Sequence, residues 1–419
     1  MTQSVQDSFK ARGPLSDIVV LDLTVALAGP FASALLAGLG ARVIKIEGPD
    51  APDTSRNNAP YLGAQGVTLV REQPDDFSIS ALNRLRNKEA VRLNLKHPRG
   101  REVFADLLRK ADIVVENFSL GTLDRLGVGY SYARSIQPKI VYCSITGFGY
   151  GSPGPNKAMD AIIQALSGVM QVSGAEDDPP TRIGLPVADL ITPLFGVIGI
   201  LSALHMARAT GIGQHVDVSM LGTLTALIAG EGFDLLETLG VPLRTGPTVA
   251  RLTPFGVYPA ADGHLAICAP TDAFASALFR AMGEPELVRD PRFATRDARV
   301  AHREQLDARI SAWASAQSAE RAVQALLDEG VPAATVRSPR EAVRDERVLA
   351  RQECVPLTHP EHGASAEVYG MGVPIKFSEA HAAFDRPAPC VAQHNQAVYG
   401  ELLGYSDERM RELEDLGVI

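Results

Sequence analysis

The 419-residue chain has few cysteines, a single tryptophan and no excess of positive charge. The four cysteines, Cys143, Cys268, Cys354 and Cys390, lie far apart, which excludes a disulfide scaffold and the paired spacing of a zinc site. No metal is expected. The formal net charge of −9 gives no reason to expect nucleic acid as a partner. A local basic cluster can still hold a phosphate. No uninterrupted apolar run reaches the ~18 residues of a membrane span, so no membrane partner is expected. The opening MTQSVQDSFKARGP lacks the apolar core of a signal peptide and reads as a loose tail. Reduced cysteines and the missing leader together point to the cytoplasm. Internal repeats and low-complexity tracts are also absent.

What is present is globular. Apolar residues make up 46% of the chain and charged residues 21%. The length exceeds one ordinary core, so two domains are expected. Ile18–Leu23 is a short apolar run ended by an Ala-Gly-Pro turn and reads as a buried strand. Pro30–Gly40 has helical spacing, with Pro in its first turn and Gly at its end. Arg42–Ile46, Asp112–Glu116 and Ile140–Ile145 read as further strands, and Pro98–Lys110 as a helix. Strands alternating with helices predict an α/β fold with a parallel sheet. Residues 50–80, rich in Pro, Gly and Asn, read as a long surface excursion. An apolar helix with glycines is expected near Ile191–Arg208, an irregular linker around Glu231–Arg251, and a hairpin over Phe255–Ala269 turning at Asp262-Gly263. The end of the chain reads as helical from Val398 to Leu413.

The first strand–turn–helix unit tests for a dinucleotide site. That pattern needs G-x-G-x-x-G so that a pyrophosphate can approach the backbone. Thr24–Pro30, TVALAGP, has no second glycine where one is needed. Glu47 closes the second strand as a ribose-binding acid would, but a strand-end Glu is more often structural. A nicotinamide enzyme is not expected.

Several ordered segments carry a resemblance. They are VLDLTVALAGP and GARVIKIE within Val20–Glu47, RNKEAVRLNLKHPRGRE from Arg86, and ADIVVENFSLGTLDRLGVGY from Ala111. PKIVYCSITGFGYGSPGP and MDAIIQALSGVM follow, to Met170. GLPVADLITPLFG and GQHVDVSM complete the set, to Met220, with TPFGVYPAADGHLAI further on. Together they resemble the class III CoA-transferase family, the group of formyl-CoA:oxalate and carnitine CoA-transferases. The resemblance implies a large Rossmann-like domain built from both ends of the chain, a smaller α+β domain, and two subunits interlocked as a homodimer. The matching boundaries are 14–225 for the first part of the large domain and 226–250 for a linker. They are 251–335 for the small domain and 336–419 for the return and the rest of the large domain. The implied substrates are an acyl-CoA thioester and a small free carboxylic acid, with no tightly bound cofactor.

The family's nucleophile is an Asp at the end of a small-residue turn entering a helix, and the matching residue is Asp189 in LPVADLITP. The residues alone leave an ordinary helix N-cap open, and both roles are compatible. Asp160, in KAMDAIIQ, matches the position of a second acid beside the site; it either orients substrate or caps a helix. The racemase branch of the same superfamily has a His before that Asp, because proton removal and return need two opposed acid–base groups. Here the residue is Met159, which transfers no proton. The nine histidines lie elsewhere. His97, His205 and His215 read as structural.

CoA carries a 3′-phosphate and a diphosphate, which want cations and backbone N–H groups. Arg84, Arg86, Lys88, Arg92, Lys96, Arg99 and Arg101 cluster in an otherwise acidic chain. A solvated basic face explains such a cluster as readily as a ligand does. The resemblance selects Leu93, Asn94, Leu95 and Lys96 for the nucleotide, Phe118 and Asn117 at a strand end, and Arg125 and Lys157 as cationic contacts. Ala26 and Ala28 flank the first turn, where small side chains permit close approach. Relatives that use oxalate carry Gln where this chain has Leu27, and a basic residue where it has Gly48. A larger acid, dicarboxylic or hydroxy, is therefore expected. The alternatives are a CoA-dependent isomerase, racemase or lyase on the same scaffold, and a non-catalytic acyl-CoA-binding protein.

Overall fold

The computed structural model describes residues 13–152, 157–249 and 251–419. The expected loose tail lies, up to residue 12, outside the described residues. The chain divides into two compact units. One contains the described residues up to Gln164 together with Leu185–Leu224 and Val343–Ile419; the other contains Ala165–Gly184 and Thr225–Ala342.

The first unit is built on a six-stranded sheet. Its strands are β1 (Val19–Asp22), β2 (Arg42–Glu47), β3 (Lys88–Arg92), β4 (Ile113–Glu116), β5 (Val141–Thr146) and β6 (His215–Ser219). Their order is β3-β2-β1-β4-β5-β6, and every pairing is parallel. The order reverses at β1, which pairs with β2 on one side and β4 on the other. In open parallel sheets such a switch point leaves a crevice outside the carboxyl ends of the strands.

Both faces of the sheet are covered, which is why its inner strands β1, β4 and β5 are largely apolar runs rather than alternating ones. Leu21, Ile44, Val91, Val114 and Tyr142 pack with Phe104, Leu107 and Leu413 on one face. Val20, Val43, Ile113, Val115, Val141 and Cys143 pack under Leu36 and Ile200 on the other. The helices used below are α1 (Ala28–Gly38), α2 (Ile79–Arg84), α3 (Pro98–Leu108), α4 (Thr122–Arg125), α5 (Asp160–Leu166) and α6 (Val187–Thr210). The 24-residue α6 is long and apolar enough to cross a membrane by length and composition, a feature that counting uninterrupted apolar runs did not show. Its buried side, including Gly196, Ile200 and Ala203, lies against the sheet, as a core helix does.

Two local expectations change. Residues 50–80 are not a bare surface excursion. They hold a three-stranded antiparallel sheet of Tyr61–Gly63, Gly66–Thr68 and Phe77–Ser78, with Asp53, Ser55 and Arg56 buried. The helix expected over Val398–Leu413 is broken: a π-helix spans Gln396–Leu402, an α-helix spans Asp407–Asp415, and Gly404 between them has φ +74°.

The second unit has a four-stranded antiparallel sheet with a core of its own around Tyr258, Leu265, Leu278, Phe293, Leu306, Ile310 and Leu326. Its hairpin joins Leu252–Ala260 to Gly263–Cys268 through Ala261-Asp262, one residue earlier than expected. The segment expected as an irregular linker carries a helix, Phe233–Thr238. Arg299, 1% exposed, donates to the carbonyls of Thr253, Phe293 and Pro270 and to Asp272, tying the sheet to its helices.

Candidate active site

The site begins with charges in strands that should be apolar. Asp22 ends β1, Lys45 interrupts β2 and Lys88 opens β3, and none is exposed to solvent beyond 2%. Adjacent strands bring them together, and buried charges persist only when paired and hydrogen-bonded. Asp22 Oδ2 accepts from Lys88 Nζ at 2.8 Å and from Ser33 Oγ at 2.7 Å. Asp22 Oδ1 accepts from the Thr24 amide at 2.9 Å and hydroxyl at 2.5 Å. Lys45 Nζ lies 2.9 Å from Asp53 Oδ2 and also donates to the Thr24 carbonyl. Burial alone would raise the carboxyl of Asp22, but Lys45 and Lys88 outweigh it and hold it well below the usual range. The network balances two carboxylates with two ammonium groups. Lys88 is thus a structural cation, not one of a phosphate-binding cluster. Arg86 is likewise engaged, donating to the Met371 carbonyl at 2.6 Å and stacking over Phe384.

This network fixes the turn between β1 and α1. Asp53 Oδ1 accepts from the Ala26 amide at 3.1 Å, and Asn117 clasps Val25 through both amide atoms, at 2.8 and 2.9 Å. Asn117 therefore shapes the turn with its side chain. Ala26 is held at φ +68°, a left-handed conformation uncommon for a residue with a Cβ. A Cβ on Gly29 would lie 2.4 Å from Thr24 and 2.9 Å from Asn117, so only glycine fits there. Ala28 is buried at the start of α1.

Beside this turn, at the carboxyl ends of β1–β4, lies a cleft of about 400 Å³. Leu93, Asn94, Leu95, Lys96 and Phe118 line it, with Val25, Asp53 and Thr122. The Phe118 amide donates to Glu116 at 2.8 Å, and burial pushes that carboxyl up to about 7. Arg125, exposed on α4, donates to Thr122 at 3.0 Å at the cleft's wall. Lys157 is exposed and does not line the cleft. His97 caps α3, accepting from the Arg99 amide at 3.1 Å; His205 is exposed along α6 rather than at its end. His215 stacks on Tyr130 and meets Ser144 at 3.0 Å.

The two acids sit together in a different state. Asp160 opens α5 and is fully engaged: Oδ1 accepts from the Ala188 amide at 2.9 Å and Oδ2 from Gln164 at 2.7 Å. It caps the first turn of α6, where backbone N–H groups have no helical partner. Asp189, one residue on, is partly buried, and its carboxylate has no hydrogen bond or ion pair among the described residues. Burial pushes its carboxyl up to about 6, with Asp160 adding to the rise and Arg84 opposing it. Pro193 has no N–H, so it returns no hydrogen bond to the Asp189 carbonyl four residues earlier. Arg84, at the end of α2, donates to the Ala26 carbonyl at 2.9 Å and so joins this corner to the cleft's turn. Sequence reading counted Arg84 only within a basic cluster. It passed over Asp22, Lys45 and Asp53, although a lysine inside the strand RVIKIE signals a buried partner.

These features define a doubly wound α/β enzyme with an open cleft at its switch point and a free carboxylate nearby. The family model described as CoA-transferase family III matches residues 15–395. The chain belongs to that family and is a CoA-transferase. It is 34% identical over 97% of its length to the succinyl-CoA–D-citramalate CoA-transferase of Chloroflexus aurantiacus, covering 98% of that protein. It is 35% identical to the succinyl-CoA:mesaconate CoA-transferase of Haloarcula marismortui, over 93% of the chain and 96% of the relative. Among solved structures, a CAIB/BAIF family protein from Brucella suis superposes with a TM-score of 0.80 at 32% identity, covering 93% of this chain and all of that one.

Proposed function

We propose that the enzyme moves CoA from an acyl-CoA thioester to a free dicarboxylic acid, with Asp189 as the acyl carrier. The observation that carries this is the contrast between neighbouring acids: among the described residues, Asp160 has both oxygens occupied and Asp189 has neither. An Asp189 oxygen attacks the thioester carbonyl, the C–S bond breaks, and CoA leaves as the thiolate. The acyl group is now a mixed anhydride on Asp189. The thiolate attacks the Asp189 carbonyl carbon, releasing the first acid and leaving an aspartyl-CoA thioester. The incoming carboxylate runs both steps in reverse, so thioester energy is kept and no water enters. The first turn of α6 favours the negative charge that develops at Asp189. Asp160 is a positioning residue that orders this turn.

The cleft takes the CoA nucleotide, with Leu93–Lys96 and Phe118 along its walls, Arg125 on the phosphates, and the small Ala26 and Ala28 beside the thioester arm. Lys157 reaches the thioester end. The relatives named for D-citramalate and mesaconate support a dicarboxylic acceptor and a succinyl donor. Leu194, Phe195 and Ile198, exposed on α6, support its burial in an interlocked homodimer.

The test is an assay with succinyl-CoA and a panel of free dicarboxylic acids, followed by separation of the CoA esters. Wild type is expected to yield a new ester, and Asp189→Ala to lose roughly 10⁴-fold or more in turnover. Substantial turnover by Asp189→Ala, or CoA release without a new ester, would contradict the reading.

A further inference from the structure

We infer that Arg84 and the small pocket beside Asp189 form a subsite for the distal carboxylate of a dicarboxylic acyl group, making Arg84 the specificity-determining residue of the transfer. The inference rests on the reading of Asp189 as the acyl carrier.

Arg84 is a partly buried guanidinium with one hydrogen bond, to the Ala26 carbonyl, and no ion pair among the described residues. A guanidinium presents five N–H donors in a planar fork matched to a carboxylate, so one bond leaves most of that capacity free. Other arginines of the same region are engaged: Arg56 grips Glu47 at 2.7 Å, and Arg86 is used by Met371 and Phe384. Arg84 lines a pocket of about 240 Å³. Leu27, Phe31, Leu190 and Met371 supply apolar wall, and Ser80 and Asn83 complete the lining. Leu190, the residue after Asp189, lines the pocket, and the Arg84 guanidinium acts electrostatically on the Asp189 carboxyl, which ties the pocket to the proposed attacking group.

That lining fits an acyl chain of a few methylenes ending in an anion. The apolar wall accepts the chain, and the fork accepts the terminal carboxylate. A monocarboxylic acyl group would fill the same wall but leave Arg84 without its partner. A site built to pair a charged group discriminates strongly against an analogue lacking it. Leu27 contributes here too: a bulky apolar residue at the first turn suits methylenes rather than the compact oxalyl group.

The experiment compares succinyl-CoA with butyryl-CoA, equal in chain length and differing by a carboxylate. Wild type is expected to prefer succinyl-CoA in kcat/KM. Arg84→Gln is expected to erode that preference by roughly tenfold to a hundredfold, and Arg84→Lys to restore part of it. Calorimetry with free succinate and butyrate reads the subsite without any chemistry: wild type should bind succinate more tightly, and Arg84→Gln should bind the two alike. Equal loss with both CoA esters would make Arg84 a brace for the first turn or a CoA contact, and would overturn the inference. So would equal binding of the two free acids by wild type. A wild type that binds succinate selectively but transfers no CoA would count against the aspartyl reading alone.

Discussion

Two groups of charges flank the first turn of this enzyme, and they are handled in opposite ways. Beneath the turn, Asp22, Asp53, Lys45 and Lys88 are buried and paired, and they clasp the chain with Thr24 and Ser33. At the corner reached through the Ala26 carbonyl, Arg84 and Asp189 are partly buried, and neither makes an ion pair among the described residues. The first arrangement is internally paired, and it fixes geometry. The second leaves a carboxylate and a guanidinium with capacity to spare. Unspent charge in a semi-buried corner is unfavourable for the free fold and useful only if a substrate completes it.

The comparison is sharpest in stability. Asp22→Asn strips the buried Lys88 of its carboxylate partner and leaves Lys45 with Asp53 alone. The expected loss is about 3–5 kcal/mol in denaturant unfolding at pH 7. Because the Asp22 carboxyl lies below its unfolded value, its contribution is present above that value and disappears as pH falls through the folded one. Wild type and Asp22→Asn should therefore converge only in strong acid. Equal stability at pH 7 would mean the network is not what holds the turn.

Asp189→Asn should act in the other direction and more weakly. The Asp189 carboxyl is raised from 3.8 to about 6, so the fold favours its protonated form. That contribution is full below the unfolded value and is lost as pH rises through about 6. At pH 7.5 the wild type carries the penalty of an ionised, half-desolvated carboxylate, and asparagine removes it. Allowing for partial exposure, the variant should gain about 1–2 kcal/mol at pH 7.5 and nothing at pH 4. A loss at both pH values would show that Asp189 is a structural cap and that the contrast between the two regions is false.

The sequence made the sheet legible because its strands are short apolar runs separated by helical spacing, and β1, β2, β4 and β5 fall within a residue or two of where those runs lie. The family pattern points to the two acids by position. What their side chains touch was not, because Asp160 is satisfied by Ala188 and Gln164, and only folding brings Ala188 to it. Lys88 looked like one more surface cation in a basic stretch. Its burial follows from β3 lying beside β2 in the sheet, a non-local pairing that no window of sequence contains. Arg84 was hidden for the same reason: α2 and the start of α6 are distant in the chain and meet at one corner.

The most direct test of the account is to locate the covalent intermediate. Wild-type enzyme mixed with succinyl-CoA, quenched in hydroxylamine, digested and sequenced by mass spectrometry should carry a hydroxamate on Asp189, within the segment Gly184–Pro193. A hydroxamate on Asp160, or an unlabelled enzyme that still exchanges CoA between acids, would contradict it.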